Sequence, residues 1–237
     1  MKKFAVFDLD GTLYDTHLGV ELLRELASRG AIPGVDGEKF DKVYRAWKNS
    51  PDRTDYYDQH LDVYYNERLV GVLKHEFDVA CHHIADAVLR HTYTELYDRL
   101  KSHKRDGYVI IIISKSPKPA VEAVASRLGA DYIWGWEFSF DDGVYSGQYT
   151  YSDGSSDKEV IVRDIVSKNN LTFDDSYGYG DSRGDISVLQ LVDHPVCVNP
   201  DRFLKEAAES RGWKILNPQS ASGSASTRMS GRIAEEV

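Results

Sequence analysis

Five consecutive β-branched residues, Val109-Ile110-Ile111-Ile112-Ile113, constrain this chain more than any other feature. Branching at Cβ favours extended backbone, and a run that is apolar at every position leaves no face for water. It predicts a strand buried on both sides, inside a parallel sheet covered by helices. Ser114 and then Pro117 stop the run. Parallel strands need long crossovers, so helices should alternate with strands. They do. Phe4 to Phe7 reads as a buried strand, and Ala120 to Leu128 as a helix with Gly129 as its C-cap. Asp157 to Asn169 reads as a helix, Tyr177 to Tyr179 as a strand end, and Ile186 to Val192 as a helix. Pro195 to Val198 is strand-like, Arg202 to Arg211 helical, and Trp213 to Leu216 strand-like. The expected class is α/β, with right-handed crossovers.

Two stretches break the alternation. Residues 17 to about 88 carry little strand signal. Leu18 to Arg29 has helical spacing, a polar loop follows at Asn49-Ser50-Pro51-Asp52, and then come Tyr56, Tyr57, Tyr64 and Tyr65. This stretch reads as a helical insertion. Tyr132 to Tyr151 alternates aromatic and polar residues around Asp141-Asp142-Gly143, a hairpin signal. Trp134 and Trp136, two apart, are expected to share one face of it. Beyond Asn217 the chain turns Ser-, Ala- and Gly-rich and reads as a flexible tail.

Charge and cysteine content narrow the partners. Lys and Arg total 29 against 38 Asp and Glu, a formal net charge of −9. That balance disfavours nucleic acid, because a phosphate backbone is repelled on average. No apolar run approaches the ~18–20 residues of a membrane span. Cys81 and Cys197 are far apart, so a reduced, cytoplasmic setting without a disulfide is expected. The apolar run after Lys2-Lys3 meets Asp8 after four residues, too soon for a signal peptide.

Four short signatures carry chemistry. Asp8-Leu9-Asp10-Gly11-Thr12 follows the first strand, with two carboxylates positioned to converge on one site. Ser114 follows the strongest strand, where a hydroxyl and free amides form an anion cradle. Read alone, it is a helix cap, and Lys115 beside it reads as a solvated surface charge. Lys158 opens a helix, where the macrodipole disfavours a cation, and an anionic partner would resolve the oddity. Gly180-Asp181-Ser182-Arg183-Gly184-Asp185 adds two carboxylates in a glycine-rich loop, hard ligands suited to Mg²⁺. In an open α/β sheet, strand C-terminal ends converge on one crevice.

In this order the four signatures resemble the haloacid dehalogenase superfamily of phosphohydrolases, over residues 3–216. The likeness is to the branch with a helical cap that includes phosphoserine phosphatase. It implies a Rossmann-like core at 1–16 and 89–216, a cap at 17–88 and a tail at 217–237. It also implies a Mg²⁺-dependent phosphatase acting on a small phosphorylated metabolite. Asp8 would be the nucleophile and Asp10 the acid and base. Ser114 and Lys158 would hold the phosphoryl oxygens. Asp8, Asp10 through its carbonyl, and Asp181 would hold the metal, with Asp185 in support. A phosphotransferase using the same aspartyl-phosphate and an alcohol acceptor is the alternative. A non-catalytic module on this fold is a further one.

The cap departs from that branch. Phosphoserine phosphatases carry a glutamate nine residues after the nucleophile, where this chain has His17. They also use a cap arginine. Tyr56 to Tyr65 contains none, with Arg53 and Arg68 on either side. Phosphoserine is therefore not the favoured substrate. Tyr44, Trp47 and the four cap tyrosines are read as the cap's own core, or else as a surface for stacking a base, imidazole or sugar. Cys81-His82-His83 lacks matching metal ligands and reads as ordinary helix.

Overall fold

A computed structural model describes residues 1–32, 37–56, 62–151 and 157–219. Its spine is a seven-stranded sheet. The strands are β1 (Phe4–Phe7), β2 (Val109–Pro117), β3 (Tyr132–Asp141), β4 (Val144–Tyr151), β5 (Tyr177–Gly180), β6 (His194–Val198) and β7 (Lys214–Leu216). Their order is β4-β3-β2-β1-β5-β6-β7. Every neighbouring pair is parallel except β3 and β4, the expected hairpin. The chain lays β2 and β3 to one side of β1 and then returns to place β5 on the other. The switch point therefore lies beside β1, where an α/β sheet opens a crevice. Register brings the three strand ends level, because Phe7 faces Ile112 on one side and Tyr179 on the other.

Complete burial explains why β1 and β2 sit in the centre. Phe4, Phe7, Ile110, Ile111 and Ile112 have no exposed surface, and each such side chain contributes roughly 1.5–3 kcal/mol on leaving water. The Phe7 ring lies flat against Tyr179, with centroids 4.3 Å apart. Trp134 and Trp136 are both buried, and Trp136 stacks on Tyr149 across the hairpin.

The helices between β1 and β2 are α1 (Leu18–Ser28), α2 (Gly37–Lys48), α3 (Arg53–Tyr56), α4 (Asp62–Leu69), α5 (Lys74–Leu89) and α6 (Thr94–Arg105). After β2 come α7 (Lys118–Leu128), α8 (Lys158–Lys168), α9 (Ile186–Leu189) and α10 (Arg202–Arg211). The insertion is not walled off from the sheet. Leu22 and Leu23 of α1 and Phe77 and Ile84 of α5 belong to the same apolar cluster as β1 and β2. Gly129 ends α7 in the left-handed conformation, as its sequence position foretells. Cys81 and Cys197 are buried free thiols. No described helix is long and apolar enough to cross a membrane.

Three readings need correction. The run ending at Ile113 does not stop at Ser114, because β2 continues to Pro117 after a register shift against β3. The helix read at Ile186 to Val192 is only Ile186–Leu189, preceded by a 3₁₀ turn at Arg183–Asp185. Leu189 and Val192 close over Gly178, where a Cβ would meet both side chains, and the chain turns there into β6. Lys115 is half-buried rather than solvated. The tail beyond residue 219, the loop Ser152 to Ser156, Tyr57 and the side chains of Tyr64 and Tyr65 lie outside the described residues.

Candidate active site

β1 delivers Asp8 to the crevice, and the turn that follows explains the glycine. Gly11 has φ +85°, and a Cβ there would lie 2.4 Å from Asp181 Oδ2. Only glycine lets this backbone pass so close to the Asp181 carboxylate. Thr12, one residue on and fully buried, donates to Asp8 Oδ2 at 2.9 Å and lies 3.3 Å from Asp181 Oδ1.

Asp10 is held through both oxygens. Its Oδ1 accepts from Leu18 N at 2.5 Å and from the Tyr14 hydroxyl at 3.4 Å. Its Oδ2 accepts from the Ser114 hydroxyl at 2.7 Å and the Ser116 hydroxyl at 3.0 Å. Ser114 Oγ also accepts from Ser116 N at 3.0 Å. Ser114 is thus fully buried against Asp10 and is not among the residues lining the cavity. His17 caps α1, its Nδ1 accepting from Gly19 N at 3.1 Å. Burial lowers the His17 pKa, outweighing Asp10 and Glu21, which favours the neutral ring that this cap requires.

Asp157 caps α8, accepting from Glu159 N at 2.9 Å, and this sets Lys158 as the first helical residue. Lys158 Nζ reaches Asp8 Oδ1 at 2.7 Å and Asp185 Oδ1 at 2.6 Å. The anionic partner predicted for a lysine at a helix start is therefore a pair of carboxylates. Asp185 Oδ2 accepts from Asp181 N and Ser182 N, both at 3.1 Å, and from the Ser182 hydroxyl at 3.2 Å. Asp185 is consequently committed to Lys158 and the loop backbone. Gly180 is required beneath it, since a Cβ there would lie 2.4 Å from Asp185 Cβ.

Asp181 differs. Its Oδ2 is buried and has no hydrogen-bond partner among the described residues, although Arg53 Nη2 lies 2.9 Å away. Burial pushes the Asp8 carboxyl up to about 7, against the pull of Lys158. Burial likewise raises Asp181 well above the usual carboxylate range, against the pull of Arg53. Burial alone would lower Lys158, but Asp185 and Asp8 hold it above its ordinary value. Among the described residues Lys158 and Arg53 pair with Asp8, Asp181 and Asp185, and Lys115 also lines the cavity, so the four acids Asp8, Asp10, Asp181 and Asp185 outnumber these three cations when all are ionised. Asp8, Asp181 and Asp185 offer oxygens within 4.8 Å of one another. An orphaned carboxylate oxygen, an all-oxygen donor set and that charge deficit together fit a hard divalent cation.

The cavity over Asp8 is lined by both sequence halves. The core contributes Asp8, Asp10, Lys115, Lys158, Asp181, Ser182 and Gly184, and the insertion contributes His17, Trp47, Arg53 and Thr54. Of the cap aromatics, Trp47 reaches the cavity, its ring edge-on to His17 at 5.1 Å. Tyr44 packs beside Trp47, and its hydroxyl donates to Asp15 O at 3.2 Å. Sequence reasoning missed Thr12, Ser116 and Thr54 and left Arg53 outside the cap stretch it considered. Thr12 stood inside the first signature and was legible there. The others had no local signal. Cys81 is buried while His82 and His83 are exposed, and His83 pairs with Glu25 at 3.1 Å.

The fold and site define an α/β protein with a buried acid cluster and a lysine at the switch point of its sheet. The chain belongs to the haloacid dehalogenase-like hydrolase family, whose model matches residues 5–190. It is 31% identical over 135 residues to a probable phosphatase of Mycobacterium tuberculosis, covering 56% of this chain and 46% of that protein. The chain thus spans about half the length of that relative. It is 26% identical over 226 residues to a histidinol-phosphatase of Neisseria meningitidis, covering 92% of this chain and 99% of that one. Its fold matches a phospho-aspartyl intermediate analogue of phosphoserine phosphatase with TM-score 0.68 and 19% identity, covering 96% of this chain and 98% of that one.

Proposed function

We propose that this protein is a Mg²⁺-dependent phosphatase that hydrolyses a small-molecule phosphomonoester through an aspartyl-phosphate on Asp8. The observation that carries the reading is Asp8 itself. Its carboxylate lies at the floor of a cavity, oriented by Lys158 on one oxygen and Thr12 on the other.

In the first step an Asp8 oxygen attacks phosphorus and the ester P–O bond breaks. Asp10, acting as the acid, gives a proton to the departing alkoxide. In the second step Asp10 takes a proton from water as that water attacks phosphorus, and inorganic phosphate leaves with Asp8 regenerated. Phosphoryl transfer relies chiefly on positioning and charge stabilisation. Lys158 supplies a buried cation beside the attacking oxygen, and Ser114 would exchange its bond to Asp10 for a phosphoryl oxygen. Asp181, Asp8 and the Asp10 carbonyl would hold Mg²⁺, with Asp185 bracing the loop through Lys158 and the backbone. When bound, the cation offsets the repulsion between the carboxylate nucleophile and an anionic phosphate.

The rest of the lining limits the substrate. Outside the catalytic acids, the described lining offers Arg53, Lys115, Trp47 and neutral His17, and no further carboxylate. A substrate whose recognition depends on an acidic partner for an amino group finds none there. An uncharged or anionic organic part, or a flat ring against Trp47, suits it better. The test is phosphate release across phosphorylated metabolites with Mg²⁺, including histidinol phosphate, phosphoserine, glycerol phosphates, sugar phosphates and nucleotides. One preferred substrate, silent with Asp8→Asn, supports the reading. Equal turnover by Asp8→Asn overturns it.

A further inference from the structure

A short strap of the insertion is fastened to the core beside Asp181. Pro51 O accepts from Arg202 N at 3.2 Å, and Asp52 Oδ2 pairs with Arg183 Nη1 at 3.0 Å. Thr54 Oγ1 accepts from Gly184 N at 3.0 Å. Arg53, between them, sends Nη2 to Asp181 O at 2.6 Å, to Asn199 O at 2.8 Å and to Asp181 Oδ2 at 2.9 Å. One NH₂ group has two protons for these three oxygens. The two carbonyls take the protons, and the carboxylate oxygen is left with charge attraction alone. That accounts for the buried Asp181 Oδ2 without a hydrogen bond. On the other side of the pair, Arg53 Nε is also buried without a partner among the described residues.

We propose that Arg53 is the counter-ion of Asp181 in the metal-free protein, and that a divalent cation binding at Asp181 displaces this ion pair and loosens the 51–54 strap from the core. The proposal rests on the reading of Asp181 as a cation ligand. The contact given up on cation entry is the Coulombic one, because the two carbonyl bonds involve neither Asp181 carboxylate oxygen. Two cations sharing one buried carboxylate repel each other, so Arg53 and the metal compete. Linkage makes the coupling reciprocal: whatever fastens Arg53 to Asp181 weakens the metal, and the metal weakens the strap. The insertion over the cavity is thereby tied to the loading of the site.

The test uses the full chain. Mg²⁺ affinity is measured by titration calorimetry for the wild type, Arg53→Gln, Arg53→Lys and Thr54→Val. Removing the competing charge should tighten Mg²⁺ binding by about tenfold in Arg53→Gln, a coupling of ordinary size for two linked sites. Arg53→Lys keeps the charge and should bind Mg²⁺ nearly as the wild type does. Thr54→Val unfastens the strap without changing charge and, by the same reciprocity, should tighten Mg²⁺ binding by clearly less than Arg53→Gln does. Hydrogen exchange at the amides of Asp52, Arg53, Thr54 and Gly184 supplies a second reading that needs no variant: saturating Mg²⁺ should accelerate it in the wild type. Equal or weaker Mg²⁺ binding by Arg53→Gln overturns the proposal, as does slowed or unchanged exchange. An equal gain from Thr54→Val also overturns it, since the coupling would then be mechanical. No Mg²⁺ binding by any of the four proteins refutes the cation reading and the proposal with it. Binding at equal affinity in all four refutes the proposal alone.

Discussion

Replacing Lys158 by methionine keeps the length of the side chain and deletes its charge. Lys158 is buried and, among the described residues, is the cation paired with both Asp8 and Asp185, at 2.7 and 2.6 Å. Removing one partner of a buried pair strands the other charge at a cost of about 3–5 kcal/mol. The cost should depend on pH in a determined sense. Burial already holds Asp8 at about 7 with Lys158 present, and without the lysine it moves higher. A carboxyl with a folded pKa above its unfolded value adds stability as pH falls through the folded pKa, because the folded state then binds more protons. Above pH 7 the variant's Asp8 takes up its proton while the wild type's is still largely ionised. The gap between them should therefore narrow by up to about 1.4 kcal/mol per pH unit there, and flatten below pH 7. Mg²⁺ should narrow it too, by supplying charge to the same acids. The assay is urea unfolding of both proteins at several pH values, in chelator and in excess Mg²⁺. A penalty under about 1 kcal/mol, or one independent of pH and Mg²⁺, contradicts the reasoning that Lys158 neutralises buried carboxylates.

Gly11→Ala puts a methyl group into Asp181 at a backbone φ of +85°; a destabilisation of about 1–3 kcal/mol and a loss of Mg²⁺ affinity are expected, by unfolding and titration. His103 is buried, with Nε2 2.8 Å from the Tyr179 hydroxyl, and burial lowers its pKa to about 4. The unfolded state, with an ordinary histidine, binds the proton first. This contribution is therefore intact above about pH 6.5 and is lost as pH falls towards 4, on the order of 2 kcal/mol. His103→Phe should flatten that limb of the Tm against pH curve, and an unchanged slope would count against the assignment. Excess chelator should abolish phosphate release by the wild type, and undiminished turnover there would rule out metal dependence.

The sheet was legible because burial on both faces leaves a direct trace, seen in Val109 to Ile113 and Phe4 to Phe7. The acids and Lys158 were legible because each sits at a strand end or a helix start, where one chemical need explains the residue. Ser116 was hidden because β2 runs past the point where its apolar run ends, carrying a second hydroxyl to Asp10. Arg53 and Thr54 were hidden for another reason. Their partners, Asp181, Asn199 and Gly184, lie more than a hundred residues away, and an arginine after a Pro-Asp turn looks like any surface charge. Lys115 looked solvated for the same reason, since the cavity wall opposite it comes from the insertion.

The proposed mechanism requires Asp8 to carry the phosphoryl group. Acid-quenching the wild type during turnover of its preferred substrate, followed by peptide mass spectrometry, tests it most directly. One added phosphoryl group is expected on the peptide bearing Asp8, labile to hydroxylamine and absent from Asp8→Asn. A working enzyme whose trapped phosphoryl group sits on another residue, or whose Asp8→Asn variant still turns over, would contradict it.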